Sequence, residues 1–395
     1  MIRPRVLVVA PQPFFTPRGT PFSVYYRTLV TAEQGFDVDL LCYGQGEDVD
    51  LPGLRLIRIP DMRWLGPIRI GPSFAKLFLD VFVVLYSLGL LLRHRYTFVH
   101  AHEESVFFLR FLKPVFGFKL IYDMHSSLPE QLRNYKFTER RFVIAAFEWL
   151  EQSCLRAADA VITICPELAR YAVARMPQPE RHELIENSIF EDVRLSRPSR
   201  PAPAEGGCDP VVPNNRRVIL YAGTFEAYQG LDILIPAFAI VQRAVPDAFL
   251  LMVGGTPAQV TAYREMARRH GIDDSDIMFT GSVAHGIAKR MTRLADLLVS
   301  PRSSGTNTPL KIYEQLASGV PLVATRILSH TQVLDDKICF LADPDAGSFA
   351  AALTRALTDD EARRAVALAA QQRYETQYSR PVYETKLRRV LAHVS

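Results

Sequence analysis

Two α/β domains, each built on a doubly wound parallel sheet, are what this 395-residue sequence predicts. Three observations carry the prediction. Short apolar runs alternate with helical patterns along almost the whole chain, which is the rhythm of βαβ units. One stretch, 196–215 (SRPSRPAPAEGGCDPVVPNN), breaks that rhythm, being rich in Pro, Gly and small residues, and reads as a linker. Glycine- and hydroxyl-rich turns follow several of the strands, where open α/β sheets hold their ligands.

The first domain, 1–195, opens on RVLVVA (5–10) and continues through DVDLLCY (37–43), TFVHAH (97–102), KLIYDM (119–124) and AVITIC (160–165). The apolar run VLVVA is too short for a signal-peptide core and a Pro-rich turn follows it, so it reads as a buried strand. The second domain, 216–378, carries RVILYAG (217–223), AFLLMVGG (248–255), DIMFTG (276–281), DLLVSP (296–301), VPLVAT (320–325) and ICFLA (338–342). Residues 379–395 (SRPVYETKLRRVLAHVS) read as a final amphipathic helix, one that packs back on the first domain. The one long apolar stretch, Phe74 to Leu92, is interrupted by Lys76 and Asp80. A spanning helix needs roughly 20 apolar residues, so it reads as a buried or interfacial helix.

Composition narrows the function classes. A net charge of +4 with no RNP, zinc-finger or helix-turn-helix pattern gives no footing for nucleic-acid binding. The five cysteines are scattered without a CxxC, which fits thiols in a reducing cytosol. G-x-G-x-x-G, Walker A and G-x-S-x-G are all missing, which speaks against nicotinamide enzymes, P-loop NTPases and α/β-hydrolases.

The richest segment is Arg302 to Thr325, RSSGTNTPLKIYEQLASGVPLVAT. Its loop offers hydroxyls and backbone N–H groups, and Pro309 suits the first turn of the helix LKIYEQLA that follows. Such a helix start is an anion site. Lys311 and Glu314 are three apart, on one face. A lysine there opposes the helix dipole, so a phosphate partner explains it better than structure does. Gly319 is placed as the C-cap. YAGTFEAYQG (221–230), with Gly223 and Gly230, is either a phosphate loop or a plain βα turn. The loop PQPFFTPRGTPFS (11–23), with Arg18, Gly19 and Thr20, leads to a helix VYYRTLVTAEQ and is long enough to close on a ligand. HAHEE (100–104) and YDMHSS (122–127) end two strands, and place His125 and Glu103 at a cleft rim as acid/base or sugar-binding groups. His100 reads as a core or supporting residue, and the spacing does not favour a metal cluster. The D-x-D tripeptides at 37–39 and 48–50 are of a kind that arises often by chance. Residues 55–141 hold fourteen Lys/Arg against seven Asp/Glu with aromatics interleaved. This is either a surface for an anionic membrane or basic residues capping core helices.

Taken together, the loop at Gly19, the HAHE and D-x-H segments, ADAVITIC, IENSIF, YAGTFEAYQG, LMVGG, FTGSV, ADLLVSPR and PLKIYEQLASGVPLVAT resemble, in order and spacing, the GT-B glycosyltransferases, and among them family 4. That resemblance implies two Rossmann-like domains facing across a cleft, the second holding a nucleotide-diphosphate sugar and the first an acceptor. It implies that Glu314 binds the ribose, that Ser282 and Val283 meet the base, and that His125 sits beside the donor sugar. Gly19, Thr20, Gly223, Thr224, Gln229, Arg302 and the loop Gly305, Thr306, Asn307 and Thr308 would meet phosphates and sugar, and His102 and Glu103 the acceptor. The chain departs from the family at three places. Thr224 and Gln229 stand where members often carry phosphate-binding Arg and Lys, and Thr306 stands where they often carry a second acidic residue.

The expected chemistry is sugar transfer from a nucleotide-diphosphate sugar, used as co-substrate without cofactor or metal, to a saccharide or lipid-linked hydroxyl in cell-surface polysaccharide or glycoconjugate synthesis. Negative charge grows on the leaving diphosphate, and Lys311 is the cation placed to meet it. With retention of configuration His125 would stabilise positive charge or hold the sugar; with inversion a carboxylate or histidine must deprotonate the acceptor hydroxyl, and Glu103 is one candidate. The expected setting is cytoplasmic, with peripheral contact at the inner face of the plasma membrane. The alternatives are an epimerase or hydrolase on the same scaffold and a non-catalytic nucleotide-sugar-binding protein.

Overall fold

The computed structural model describes residues 3–16, 19–66, 74–127, 141–191, 193–196, 213 and 215–395. The predicted linker falls almost wholly outside them, as do Arg18 and Cys208. The chain divides into two compact units: Met1–Ser199 together with Arg380–Ser395, and Arg200–Ser379.

The first unit is a parallel sheet of β1 (Arg5–Ala10), β2 (Asp37–Cys42), β3 (Leu54–Arg58), β4 (Phe98–His102), β5 (Lys119–Met124), β6 (Ala160–Thr163) and β7 (His182–Leu184), in the order β3-β2-β1-β4-β5-β6-β7. The order reverses between β1 and β4, the kind of switch point at which ligands bind. Side chains alternate across β4 and β5. Val99, Ala101, Leu120 and Tyr122 face a core with Leu79 and Val83 of α2 (Phe74–Arg93), Leu109 of α3 (Val106–Phe116), Leu155 of α4 (Arg141–Ala157) and Leu168 of α5 (Pro166–Val173). His100, His102 and Asp123 alternate with them toward the opposite face, where Asp123 meets Arg27 of α1 (Gly19–Glu33).

The second unit is a parallel sheet of β8 (Arg217–Ala222), β9 (Ala248–Val253), β10 (Ile277–Gly281), β11 (Leu297–Ser300), β12 (Leu322–Thr325) and β13 (Phe340–Ala342), in the order β10-β9-β8-β11-β12-β13. Its switch point lies between β8 and β11. Helices α6 (Leu231–Ala244), α7 (Pro257–Arg269), α8 (His285–Thr292), α9 (Lys311–Ala317), α10 (Leu328–Thr331), α11 (Ala346–Thr358) and α12 (Asp360–Gln377) cover it. Two separate apolar clusters pack on it, one holding Leu234, Phe238 and Phe349, the other Ile312, Tyr313 and Leu316. The last helix, α13 (Arg380–Ala392), belongs to the first unit. It buries Tyr383, Leu387, Val390 and Leu391, and its Arg380 and Lys386 pair with Glu33 and Glu186 at 2.8 and 2.6 Å.

Several expectations are corrected. Helix α1 begins at Gly19 rather than Val24, so Gly19 and Thr20 form its first turn instead of a loop. Strands β3 and β7 are additional: LRLIR mixes arginines into an apolar run, and HEL is a three-residue polar edge. Helix α9 has only seven residues, with Pro309 before it, so its dipole is small and the predicted anion site cannot rest on the helix start alone. Of the two readings of α2, buried or interfacial, the buried one fails. Leu79, Val83, Ser87 and Leu91 face the sheet, while Phe74, Leu77, Phe78, Val81 and Leu85 form a second apolar stripe on the opposite side, exposed by 43 to 88%.

Candidate functional site

Each unit gathers polar groups at the carboxyl ends of its strands. In the second unit β8 ends in a turn at Gly223, whose φ is +156°. A Cβ there would lie 3.0 Å from the Tyr221 hydroxyl and 3.3 Å from Lys311 Nζ. A side chain there would crowd both groups, and the lysine amine would have to shift by a few tenths of an ångström. Lys311 Nζ donates to the Ala222 carbonyl at 3.4 Å and lies 4.4 Å above the Tyr221 ring, a cation–π seat. Among the described residues no carboxylate pairs with it. Burial, with the nearby charge of Arg302, lowers its pKa to about 7. Although Lys311 and Glu314 lie three apart on the helix, they do not pair: packing turns Lys311 to the β8 turn and leaves Glu314 Oε1 3.2 Å from His285 Nε2.

Two loops make one wall here. Gly230, at φ +71°, allows the first to press on the second, since a Cβ would fall 1.9 Å from the Pro301 carbonyl oxygen. Ser303 N donates to Tyr228 O at 3.0 Å. The Arg302 guanidinium lies 5.0 Å from the Tyr228 ring centroid and donates to Asn307 O at 3.2 Å. Gly305 wraps that guanidinium, with space for no Cβ (2.6 Å to Arg302 Nη2). Thr306 O accepts from Gln332, and the Thr308 hydroxyl is buried without a hydrogen bond. Thr224 and Gln229 touch each other at 3.4 Å. Ser282 and Val283 follow β10, and Ser282 joins Thr224, Phe225, Thr256 and Phe279 around a cavity of about 570 Å³. Sequence reasoning misses His330. It is buried between Ser300 Oγ (3.0 Å) and Thr325 O (2.8 Å), while Thr325 Oγ1 donates to Arg302 O, so it braces the loop from behind.

In the first unit the rim reading of His125 is corrected: it is 4% exposed, and His102 1%. The two rings approach at 3.2 Å (His102 Nδ1 to His125 Nε2), and His102 stacks on His100. Asp123 lies at their centre. Its Oδ2 accepts from Arg27 Nε at 3.0 Å and meets His100 Nε2 at 3.1 Å, and its Oδ1 is 3.3 Å from His125 Nε2. Burial alone would raise the Asp123 pKa, but Arg27 and the histidines outweigh it and hold the carboxyl well below its usual range. Burial lowers His125 to about 4, so at neutral pH the ring is uncharged beside a carboxylate. His100, His102 and Asp123 bring ligand atoms within 4.8 Å of one another, a spacing a metal ion could use. The guanidinium on Asp123 already supplies the positive charge, and a dication would have to displace it.

Glu103 follows β4 with φ +50°, a left-handed backbone rare outside glycine and a form of strain that collects at functional sites. Its Oε1 accepts from Thr20 Oγ1 at 3.4 Å, which joins α1's first turn to the end of β4. Burial, and then the charge of Glu104, raise its pKa to about 7. Thr20, Glu103, His102 and His125 are thus neighbours along one strand-end row, as are Gly223, Lys311, Arg302 and Gly305 in the other unit.

Comparison with known proteins fits this geometry. Residues 27–188 match the model of the "Glycosyl transferase 4-like domain", and 216–359 that of "Glycosyl transferases group 1". The chain is 25% identical over 280 residues to alpha-D-kanosaminyltransferase of Streptomyces kanamyceticus, covering 68% of this chain and 70% of the relative. It is 27% identical over 186 residues to a phosphatidyl-myo-inositol mannosyltransferase of Mycolicibacterium smegmatis, covering 46% and 47%. In fold it is similar to a sucrose-phosphate synthase from Thermosynechococcus elongatus (TM-score 0.74, 20% identity, 99% and 98% covered). It is also similar to WaaG, a glycosyltransferase involved in lipopolysaccharide biosynthesis (TM-score 0.66, 17% identity, 97% and 98% covered). These matches select glycosyl transfer over the epimerase, hydrolase and non-catalytic alternatives.

Proposed function

We propose that this chain, which belongs to the GT-B glycosyltransferases and resembles their family 4, moves a sugar from a nucleotide-diphosphate donor to a hydroxyl of a saccharide or lipid-linked acceptor, without a metal. The observation that carries the reading is the Lys311 amine held under Gly223 with a carbonyl and a ring for partners. A cation so placed is costly until an anion joins it. In the reaction the acceptor oxygen bonds to the anomeric carbon, the bond from that carbon to the diphosphate oxygen breaks, and the charge left on the diphosphate meets Lys311. Arg302 and the N–H groups of the Gly305–Thr308 loop add to that site. Glu314 takes the ribose hydroxyls, and Ser282 and Val283 the base. From the first unit, as the family resemblance implies, uncharged His125 would serve the donor sugar, where positive charge grows, and the Glu103 carboxylate would take the acceptor proton.

The same reading places the protein at the cytoplasmic membrane face, on cell-surface glycoconjugate synthesis. Support comes from α2: its core stripe lies on the sheet, so the helix cannot span, yet its outer stripe is apolar. Exposed Trp64 stacks edge-on with Phe78, and exposed Arg93 and Arg95 flank the helix end. Apolar contact with basic flanks suits an anionic bilayer.

The test is a thermal-shift screen of uridine, guanosine and adenosine diphosphate sugars, followed by product analysis with lipid-linked and free saccharide acceptors. A donor that stabilises the protein and is consumed only when an acceptor is present supports the proposal. Stabilisation by no nucleotide sugar, or consumption with water alone as acceptor, counts against it.

A further inference from the structure

The mechanism above uses His125 but not the buried groups behind it. Arg27 is fully enclosed in the first unit, and each of its guanidinium nitrogens has a different partner. Nε donates to Asp123 Oδ2 at 3.0 Å, Nη1 to the Tyr383 hydroxyl at 2.5 Å and Nη2 to the Ile185 carbonyl at 2.9 Å. A planar fork tied at three corners has one orientation. The carboxylate it grips is fixed in turn, and the other oxygen of that carboxylate lies 3.3 Å from His125 Nε2. Tyr383 comes from α13, whose ring face packs on Phe190 at 5.1 Å and on Arg27 at 5.0 Å. Every member of the row is less than a tenth exposed.

A buried ion pair is a poor source of stability, since an apolar replacement of equal volume often does as well. What the row offers instead is orientation: the Arg27 fork is bonded at all three corners, and Asp123 Oδ1, which has no hydrogen bond of its own among the described residues, lies in charge contact with the His125 ring. The negative charge of Asp123, 3.3 Å away, favours a proton on His125 Nε2, and that N–H then donates in the 3.2 Å hydrogen bond to His102 Nδ1, so the carboxylate sets the tautomer as carboxylates do for histidines in metal and acyl-transfer sites.

We infer that Arg27 and Tyr383 are positioning residues, acting through Asp123 to hold the His125 ring in one tautomer and one orientation, so that α13 completes the site of the first unit. This rests on the reading of His125 as the group beside the donor sugar, and the experiment separates the two. Tyr383→Phe keeps the ring packing and removes only the hydroxyl. It should lower kcat about tenfold with the donor KM within about twofold and the melting temperature little changed, the range found when an orienting partner is lost. Asp123→Asn should lower kcat further and move the His125 ring ¹⁵N signals to those of the other tautomer. In a His125→Ala background Tyr383→Phe should have no added effect, because it acts through that ring. Should Tyr383→Phe fail to fold, Arg27→Lys, a point charge without the fork, is read the same way. An equal loss from Tyr383→Phe with and without His125, or wild-type kcat in both Tyr383→Phe and Asp123→Asn, overturns the inference. Wild-type turnover in His125→Ala overturns the role of His125 itself, and this inference with it.

Discussion

If Lys311 meets the donor diphosphate as proposed, donor binding weakens as the pH rises. Its pKa falls from 10.5 to about 7, burial being the main cause and the charge of Arg302 the second. At about 1.4 kcal/mol per unit, the charged amine is disfavoured by roughly 5 kcal/mol in the free protein. A diphosphate within contact of the amine reverses that by favouring the charged form. Below pH 7 the amine is charged and ready; above it, binding must first protonate it. With a pKa near 7 the charged fraction drops from about 0.9 at pH 6 to about 0.1 at pH 8, so the apparent donor Kd rises about tenfold over that range. A nucleotide-diphosphate sugar has no group of its own titrating there, which makes it a cleaner probe than the free nucleotide. Calorimetry in buffers of different ionisation enthalpy should find about half a proton taken up per donor bound at pH 7. In Lys311→Met both the uptake and the pH slope should vanish, and binding should weaken by ~2 kcal/mol, about thirtyfold, the scale of a hydrogen bond to a charged group. A donor Kd that is flat from pH 6 to 8 in the wild type, with no proton uptake, refutes the reasoning.

Three further outcomes are expected. Gly230→Ala combines a left-handed backbone with a Cβ 1.9 Å from the Pro301 carbonyl; it should destabilise the second unit by about 3 kcal/mol or more, and an unchanged denaturant midpoint would contradict the packing of the two loops. Glu103, raised to about 7 by burial and Glu104, is a carboxylate only above that pH; kcat should climb through pH 7, and Glu103→Gln should lose about 100-fold or more and flatten the climb, so a glutamine variant with normal turnover removes it from the chemistry. Leu77→Glu with Leu85→Glu alters side chains that are 63% and 57% exposed; binding to phosphatidylglycerol-containing vesicles should fall about thirtyfold, worth ~2 kcal/mol of lost apolar burial, with the melting temperature unmoved, and equal vesicle binding by both proteins would discard α2 as the contact.

How much of this is legible in the sequence depends on which force decides each feature. Strands buried on both faces read as unbroken apolar runs, so VLVVA and LLVS declare themselves, whereas the edge strand HEL has no burial to advertise. The turn glycines are readable as turns, but not as the close approaches that Gly230 and Gly223 permit. Lys311 is recognisable as a cation without a structural reason, yet spacing along a helix puts it on one face with Glu314, and tertiary packing sends it to Ala222 instead. Helix α2 is ambiguous for a different reason: the stripe through Leu79 and Val83 and the stripe through Leu77 and Val81 are equally apolar, so periodicity cannot say which faces out. Arg27 in VYYRTLV looks like any helical arginine. Its burial is set by Asp123 and Tyr383, both far away in sequence.

The placement of α13 has a consequence for the order in which the protein is made. The first unit takes its sheet from residues ahead of the second unit and its final helix from residues behind it. During synthesis the sheet of β1 to β7 therefore emerges with the Arg27 guanidinium lacking its third ligand, and waits while the whole of the second unit is translated and folds. Over that interval the hydrophobic bed for Leu387, Val390 and Leu391 stands open. The unit begun first is finished last, and a chain interrupted anywhere in Arg200–Ser379 would carry an intact sheet whose histidine row had never been set.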